Sequence, residues 1–344
     1  MAVFKQAFIH TIWRRALFVL IIFCLGIAAG VFAERRFAGI GGGGEGFRKL
    51  HPANVHFEYI NPLIGVDFYE QRKGEYVALK DALNNLIHGH QAAGEIANVS
   101  VYFRDLETGQ WVGINERDEF NPASLIKVPV MMAYFKLTES EPDVLSYTYT
   151  YTDADITLMK QIPGVDMVTI LAKDRPYTVD TLIREMIVHS DNIAKYLLIL
   201  HVPQTILDDV FSDLGIQVLG NGQYTISTKT YSLFFRTLYN ATFLSRTMSE
   251  KALALLAKAD YERGLVAGLP ADTKISHKFG LHDSVVNGKL VSTELHDCGI
   301  IYSFVNPYLL CVMTKGYSTD QLSNIVQEVS GTIYNFLKTH RVLK

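Results

Sequence analysis

From Tyr76 to Ala92 the apolar positions Val77, Leu79, Leu83, Leu86 and Ile87 recur at helical spacing, which predicts an amphipathic helix. The next segment, Asn98-Val-Ser-Val-Tyr-Phe-Arg104, alternates as a strand does. Leu106-Glu-Thr-Gly109 is a turn signal, and Trp111-Val-Gly-Ile114 reads as a second strand. An apolar helix then starts near Ser124 and runs through Met131 to Leu137. Residues 178–200 carry two helical patterns broken near His189-Ser190-Asp191, and residues 226–239 and 248–258 carry two more. Toward the C-terminus the period changes. Thr273–Phe279, Cys298–Val305 and Tyr308–Thr314 read as strands, and Thr319–Leu337 as a closing helix.

This order predicts an α+β domain over residues 76–344. A five-stranded antiparallel sheet flanked by helices takes strands from both ends of the sequence, and the middle forms an all-helical lobe. A cleft between two such layers is a usual place for a site.

The first 75 residues are of another kind. Ala16–Ala33 holds no charge and is bounded by Arg14 and Arg15 before it and Glu34, Arg35 and Arg36 after it. A spanning helix needs about 20 apolar residues. The run therefore reads as a membrane anchor within residues 1–37, preceded by a short cytoplasmic tail. The alternative is a signal peptide cleaved after Val31-Phe32-Ala33. Either reading places the rest of the chain outside the cytoplasm, on the cell surface or in the periplasm, and secreted if cleavage occurs. The Gly-rich stretch Gly39–Gly46 opens a flexible linker and entry segment over residues 38–75. A phosphate-cradling loop would need a strand before it, and none is read there.

Composition narrows the class. The 344 residues are 49% hydrophobic and 19% charged with a net charge of −3, which fits a globular enzyme and gives no basic field for nucleic acid. Three cysteines do not make a disulfide scaffold. Cys298 and Cys311 flank an expected hairpin. With its turn at Asn306-Pro307 they fall out of register, so a bridge between them is not favoured.

Candidate chemistry lies in three short motifs. Ser124 and Lys127, in Asn121-Pro-Ala-Ser-Leu-Ile-Lys-Val-Pro-Val130, share a helix face. A serine hydroxyl needs a base to become a strong nucleophile. The positive end of a helix beside a buried lysine disfavours the lysine's proton and so makes it a candidate base. About one Ser-x-x-Lys is expected by chance in such a chain, so this pair alone decides nothing. The second motif is Ser190-Asp191-Asn192, between two helices. The third is Lys278-Phe279-Gly280, on a strand.

Ser-x-x-Lys, Ser-Asp-Asn and a Lys-Thr-Gly-like triplet, in this order over residues 98–340, resemble the class A β-lactamases and penicillin-binding proteins. The resemblance implies that Ser124 attacks an amide carbonyl and becomes acylated, with Lys127 taking its proton. Ser190 would help pass that proton to the leaving nitrogen, and Lys278 would set the local positive potential. Asn192 would bind a side-chain amide of the substrate, Asp191 would fix the loop, and the backbone N–H groups of Ser124 and Leu281 would form the oxyanion hole. Gly280 would leave room for substrate against the strand. The implied partner is a small β-lactam or a cell-wall peptide. No cofactor and no metal are expected.

Two departures bear on function. No glutamate occurs between Ile193 and Ser249, where class A β-lactamases carry the one that activates water; only Asp208, Asp209 and Asp213 are acidic there. Phe279 stands where the family has a hydroxyl that helps hold the substrate carboxylate. The leading expectation is a β-lactamase-like serine hydrolase. The others are a D,D-peptidase of wall peptides and a non-catalytic wall-binding relative. His277, His282, His296 and Asp297 gather round the third motif without a zinc-like spacing, and His277 and His282 are expected at the cleft edge or surface.

Overall fold

A computed structural model describes residues 57–61, 76–161, 167, 169–214, 216, 225–303 and 306–341. Ala16–Ala33 and the glycine run lie outside them, as does the cleavage site. Among the described residues no helix is long and apolar enough to cross a membrane.

The elements follow the expected order. Helix α1 (Val77–Ala92) leads to strands β1 (Ile96–Asp105), β2 (Trp111–Ile114) and the short β3 (Glu119–Phe120). A 3-10 turn at Ala123–Ile126 runs into α2 (Lys127–Leu137), and β4 (Thr148–Thr150), α3 (Asp153–Met159) and β5 (Pro176–Thr178) follow. Next come α4 (Val179–Val188), α5 (Asn192–His201), α6 (Gln204–Ser212), β6 (Ile226–Ser227), α7 (Thr228–Tyr239) and α8 (Arg246–Leu256). Strands β7 (Lys274–Val286), β8 (Lys289–Tyr302) and β9 (Tyr308–Gly316) then return to the sheet, and α9 (Thr319–Arg341) closes the chain.

The main sheet has the order β2-β1-β9-β8-β7, antiparallel throughout, so strands from both ends of the domain pair at β1 and β9. Alternation along each strand feeds two cores, as a pleated strand requires. Val101 and Phe103 of β1, with Leu310 and Val312 of β9, pack against α1 and α9. Tyr102, Cys311 and Met313 point the other way, into the helical lobe. Helix α2 runs through that lobe. Lys127 to Phe135 and Leu137 are all buried, so it is apolar on every side, as a central helix must be. Pro129 is tolerated because it lies in the first turn.

Two strand expectations need correction. Strand β8 begins at Lys289, not near Cys298, because Val286 pairs with Lys289 across Asn287-Gly288. Both turn residues have φ near +51° and +73°, which is the conformation an Asn-Gly hairpin needs. The second hairpin is centred two residues earlier than Asn306-Pro307, since Ile301 pairs with Tyr308. Cys298 therefore opposes Cys311 directly, and the two form a disulfide with Cα atoms 4.0 Å apart. The bridge that the assumed turn disfavoured is present because the register differs from the assumed one.

Inside the expected linker, Phe57–Asn61 docks on the domain. The Glu250 carboxylate accepts hydrogen bonds from the backbone N–H groups of Glu58, Tyr59 and Ile60, and Ile60 is buried in the lobe core.

Candidate functional site

The site forms where the free edge of β7 meets the 3-10 turn that carries Ser124. Gly280 makes this approach possible. A Cβ there would sit 3.2 Å from the Ala123 Cβ, the Pro122 carbonyl oxygen and the Ser124 nitrogen, tighter than ordinary van der Waals contact. Leu281 follows on the same strand with its side chain 42% exposed.

The turn is strained and braced. Ala123 has φ of +50°, unusual for a residue with a Cβ. Its N–H donates to the Asn121 Oδ1 at 2.9 Å. Two side chains of β8 grip the Asn121 backbone: the Glu294 carboxylate accepts from its N–H at 2.9 Å, and His296 Nε2 meets its carbonyl at 2.8 Å. His296 is wholly buried, and that burial pushes its pKa down to about 4, against the raising effect of the Asn121 contact. The ring is then neutral at pH 7. Nε2–H donates to Asn121, and Nδ1 accepts from the Thr314 N–H at 3.4 Å. Tyr231 Oη braces the other end of the turn by donating to the Leu125 carbonyl at 3.0 Å.

Lys127 opens α2 and is fully buried. Its Nζ donates to Asn192 Oδ1 and Ser190 Oγ, each at 2.9 Å, and to the Ser190 carbonyl. The first and second motifs are thus joined through this side chain. Ser190, with φ of +54°, breaks the chain between α4 and α5. Asp191 fixes that break. Its Oδ1 caps α5 through the Ala194 N–H, and its Oδ2 accepts from Thr169 Oγ1 and the Ile170 N–H. The helix cap is therefore Asp191, not Ser190 or Asn192. Asn192 turns its carbonyl oxygen to Lys127, which leaves its amide N–H groups as the donors available to a ligand.

Lys278, also fully buried, approaches Ser190 from the sheet side. Its Nζ lies 2.9 Å from Ser190 Oγ and 2.9 Å from the Phe279 carbonyl. One hydroxyl thus stands between two lysine nitrogens. Burial lowers the Lys278 pKa to about 7, while Asp297 and Asp260 work in the raising direction. The structure brings together Ser190, Asn192, Lys127 and Lys278 by direct contact, and it sets Gly280 against Ser124.

The histidines of the third motif part company. His277 is not at the surface: it is 2% exposed, and its Nδ1 pairs with Asp297 Oδ1 at 2.8 Å. Strand pleating sends it to the face opposite Lys278. His296 and Glu294 hold the Ser124 turn, a part the sequence reading did not give them. The only local signal was their alternation about Leu295, which puts both on one face of a strand. Asp208, Asp209 and Asp213 are all exposed, at or just past α6.

A family profile described as the beta-lactamase enzyme family matches residues 78–337, most of the chain. The chain belongs to that family. Solved structures agree on the fold. PBP-A superposes with a TM-score of 0.64 at 20% identity, over 83% of this chain and all of that one. An acyl-enzyme complex of a PBP-A variant with penicillin G gives 0.63 at 19% identity, covering 76% of this chain and 97% of that one. A beta-lactamase from Xanthomonas campestris pv. campestris gives 0.62 at 18% identity, with 75% and 98% covered. A search of curated proteins returns no match. The β-lactamase family is one of serine hydrolases, and at these identities the superpositions establish the β-lactamase/transpeptidase fold.

Proposed function

We propose that this protein is an exported serine acyl-transfer enzyme that opens β-lactam or related amides through an ester at Ser124. The observation that carries the reading is the Ser190 hydroxyl held at 2.9 Å from both Lys127 Nζ and Lys278 Nζ, beside the Ser124 turn. In the reaction, Lys127 in its neutral form takes the Ser124 proton as Oγ bonds to the carbonyl carbon. The oxyanion that forms is met by the backbone N–H groups of Ser124 and Leu281. The carbon–nitrogen bond then breaks. Ser190 gives its proton to the leaving nitrogen and is reprotonated from Lys127, so in net terms Ser124 loses one proton, the product amine gains one, and Ser190 and Lys127 return to their starting states.

Export draws support from the apolar run at residues 16–33 and from the Cys298–Cys311 disulfide, since such bridges persist in oxidising compartments. A membrane anchor is proposed for the same run.

A second reading, a D,D-peptidase of wall peptides that forms the acyl-enzyme and clears penicillin slowly, is favoured by the acids that follow the second motif. Asp208, Asp209 and Asp213 are solvent-exposed, and Asp208 is taken up by Gln204 at 2.7 Å. The test is intact-protein mass against time after mixing with benzylpenicillin. A persistent mass increase that disappears in Ser124→Ala fits slow deacylation. A transient increase with opened penicillin in solution fits a working β-lactamase. Equal labelling of wild type and Ser124→Ala would refute the nucleophile.

A further inference from the structure

The sheet side of the cleft has a wall that the β-lactam reading does not use. Lys278 Nζ has three N–H vectors and three partners: Ser190 Oγ, the Phe279 carbonyl and the face of the Phe279 ring, whose centroid is 4.1 Å away. Phe279 in turn stacks on Tyr261, with centroids 4.0 Å apart and planes at 14°. Both rings are only half-buried, while the ammonium beneath them is fully buried. A substrate group on this side therefore meets aromatic carbon before it meets charge.

The surrounding charges do not invite an anion either. Asp260 and Glu262 flank Tyr261 on exposed backbone, and Asp297 lies buried in the next strand, opposite Phe279. Arg263, two residues past Tyr261, is paired with Asp320 at 2.6 Å. His189 is paired with Asp260 at 2.7 Å. A carboxylate placed here would lose its water and have to displace a partner from Lys278.

We infer that the subsite beside Lys278 takes an uncharged, flat or apolar substrate group against the Tyr261–Phe279 ring pair and discriminates against a carboxylate. The inference rests on Ser124 being the acylated residue and adds the substrate class. Phe279 and Tyr261 are then specificity residues: they touch the substrate and leave the bond-making groups alone.

The test is the rate of Ser124 labelling by benzylpenicillin and by its methyl ester. It is read by intact mass on the full chain in detergent, for wild type, Phe279→Thr and Phe279→Leu. The ester is expected to label wild type faster than the acid by about tenfold, the usual weight of one charged hydrogen bond left unmade. Phe279→Thr, which supplies a hydroxyl and uncovers Nζ, reverses that order. Phe279→Leu, which keeps an apolar side chain, preserves it. Faster labelling by the acid in wild type overturns the inference while Ser124 stands, as does a ratio that Phe279→Thr leaves unmoved. Reversal in both variants assigns the effect to ring bulk and overturns it too. If neither compound labels Ser124, the proposed function fails, and this inference fails with it.

Discussion

The two walls of the cleft each deliver one fully buried lysine to the same serine hydroxyl, and they do so in different surroundings. On the helical wall, Lys127 is ringed by acceptors from the second motif: two side-chain oxygens and a backbone carbonyl. On the sheet wall, Lys278 has one carbonyl, the shared hydroxyl and an aromatic face, and burial brings its pKa down to about 7. The same side chain thus meets three oxygens on one wall and a carbonyl, a hydroxyl and a ring on the other, and the roles proposed for the two lysines differ accordingly.

The largest expected effect would break the comparison outright. Lys127→Ala should slow acylation by roughly 10²–10⁴, the range for loss of a positioned base. Single-turnover labelling with benzylpenicillin reads this, and an unchanged rate would remove Lys127 from the role. Gly280→Ala tests how closely the walls must approach. Its Cβ would press on the Ser124 turn at 3.2 Å, and a shift of that turn should cost about 10–100-fold in acylation rate with little loss of thermal stability. Normal acylation in this variant would mean the turn can yield.

The sheet wall also has a covalent backing. Cys298 pairs across the sheet with Lys278 on one side and is bridged to Cys311 on the other. Replacing both cysteines with alanine should lower unfolding stability by about 2–4 kcal/mol, measured by denaturant titration. A variant as stable as wild type would show that sheet pairing alone holds this wall.

The smallest and most discriminating effect concerns pH. The folded pKa of Lys278 lies below its ordinary value of 10.5. Between about 7 and 10.5 the unfolded chain therefore binds more protons than the folded one, and stability should rise with pH across that window. Lys278→Met should flatten that rise. Acylation should fall as pH climbs through about 7 if the positive charge of Lys278 assists it. A rate that keeps rising through that range would show that Lys278 acts without its charge.

Much of this was legible along the chain. Helical period, strand alternation and turn residues found all five sheet strands, though not the ends of β7 and β8, and the three motifs named Ser124, Lys127, Ser190 and Lys278 before any contact was known. They were legible because period and motif are local: side-chain direction repeats every two or 3.6 residues, and a capping or turn residue acts within a few positions. The Asn287-Gly288 turn belonged to the same local kind of signal, and it starts β8 nine residues before the sequence reading did.

What the linear pattern could not place was whatever depends on register between distant strands. A slip of one residue sends every side chain to the other face. Register alone sets Cys298 against Cys311, buries His277 on Asp297, and brings His296, grouped with the third-motif histidines in the sequence, and Glu294, singled out by nothing in it, to grip Asn121. Sequence by itself determined the element types, the fold class and the three motifs. Tertiary structure alone decided that both lysines reach one hydroxyl and that an aromatic pair covers one of them. Those facts rest on distances between residues 63 and 88 positions apart, which only the closed sheet and the packed lobe bring together.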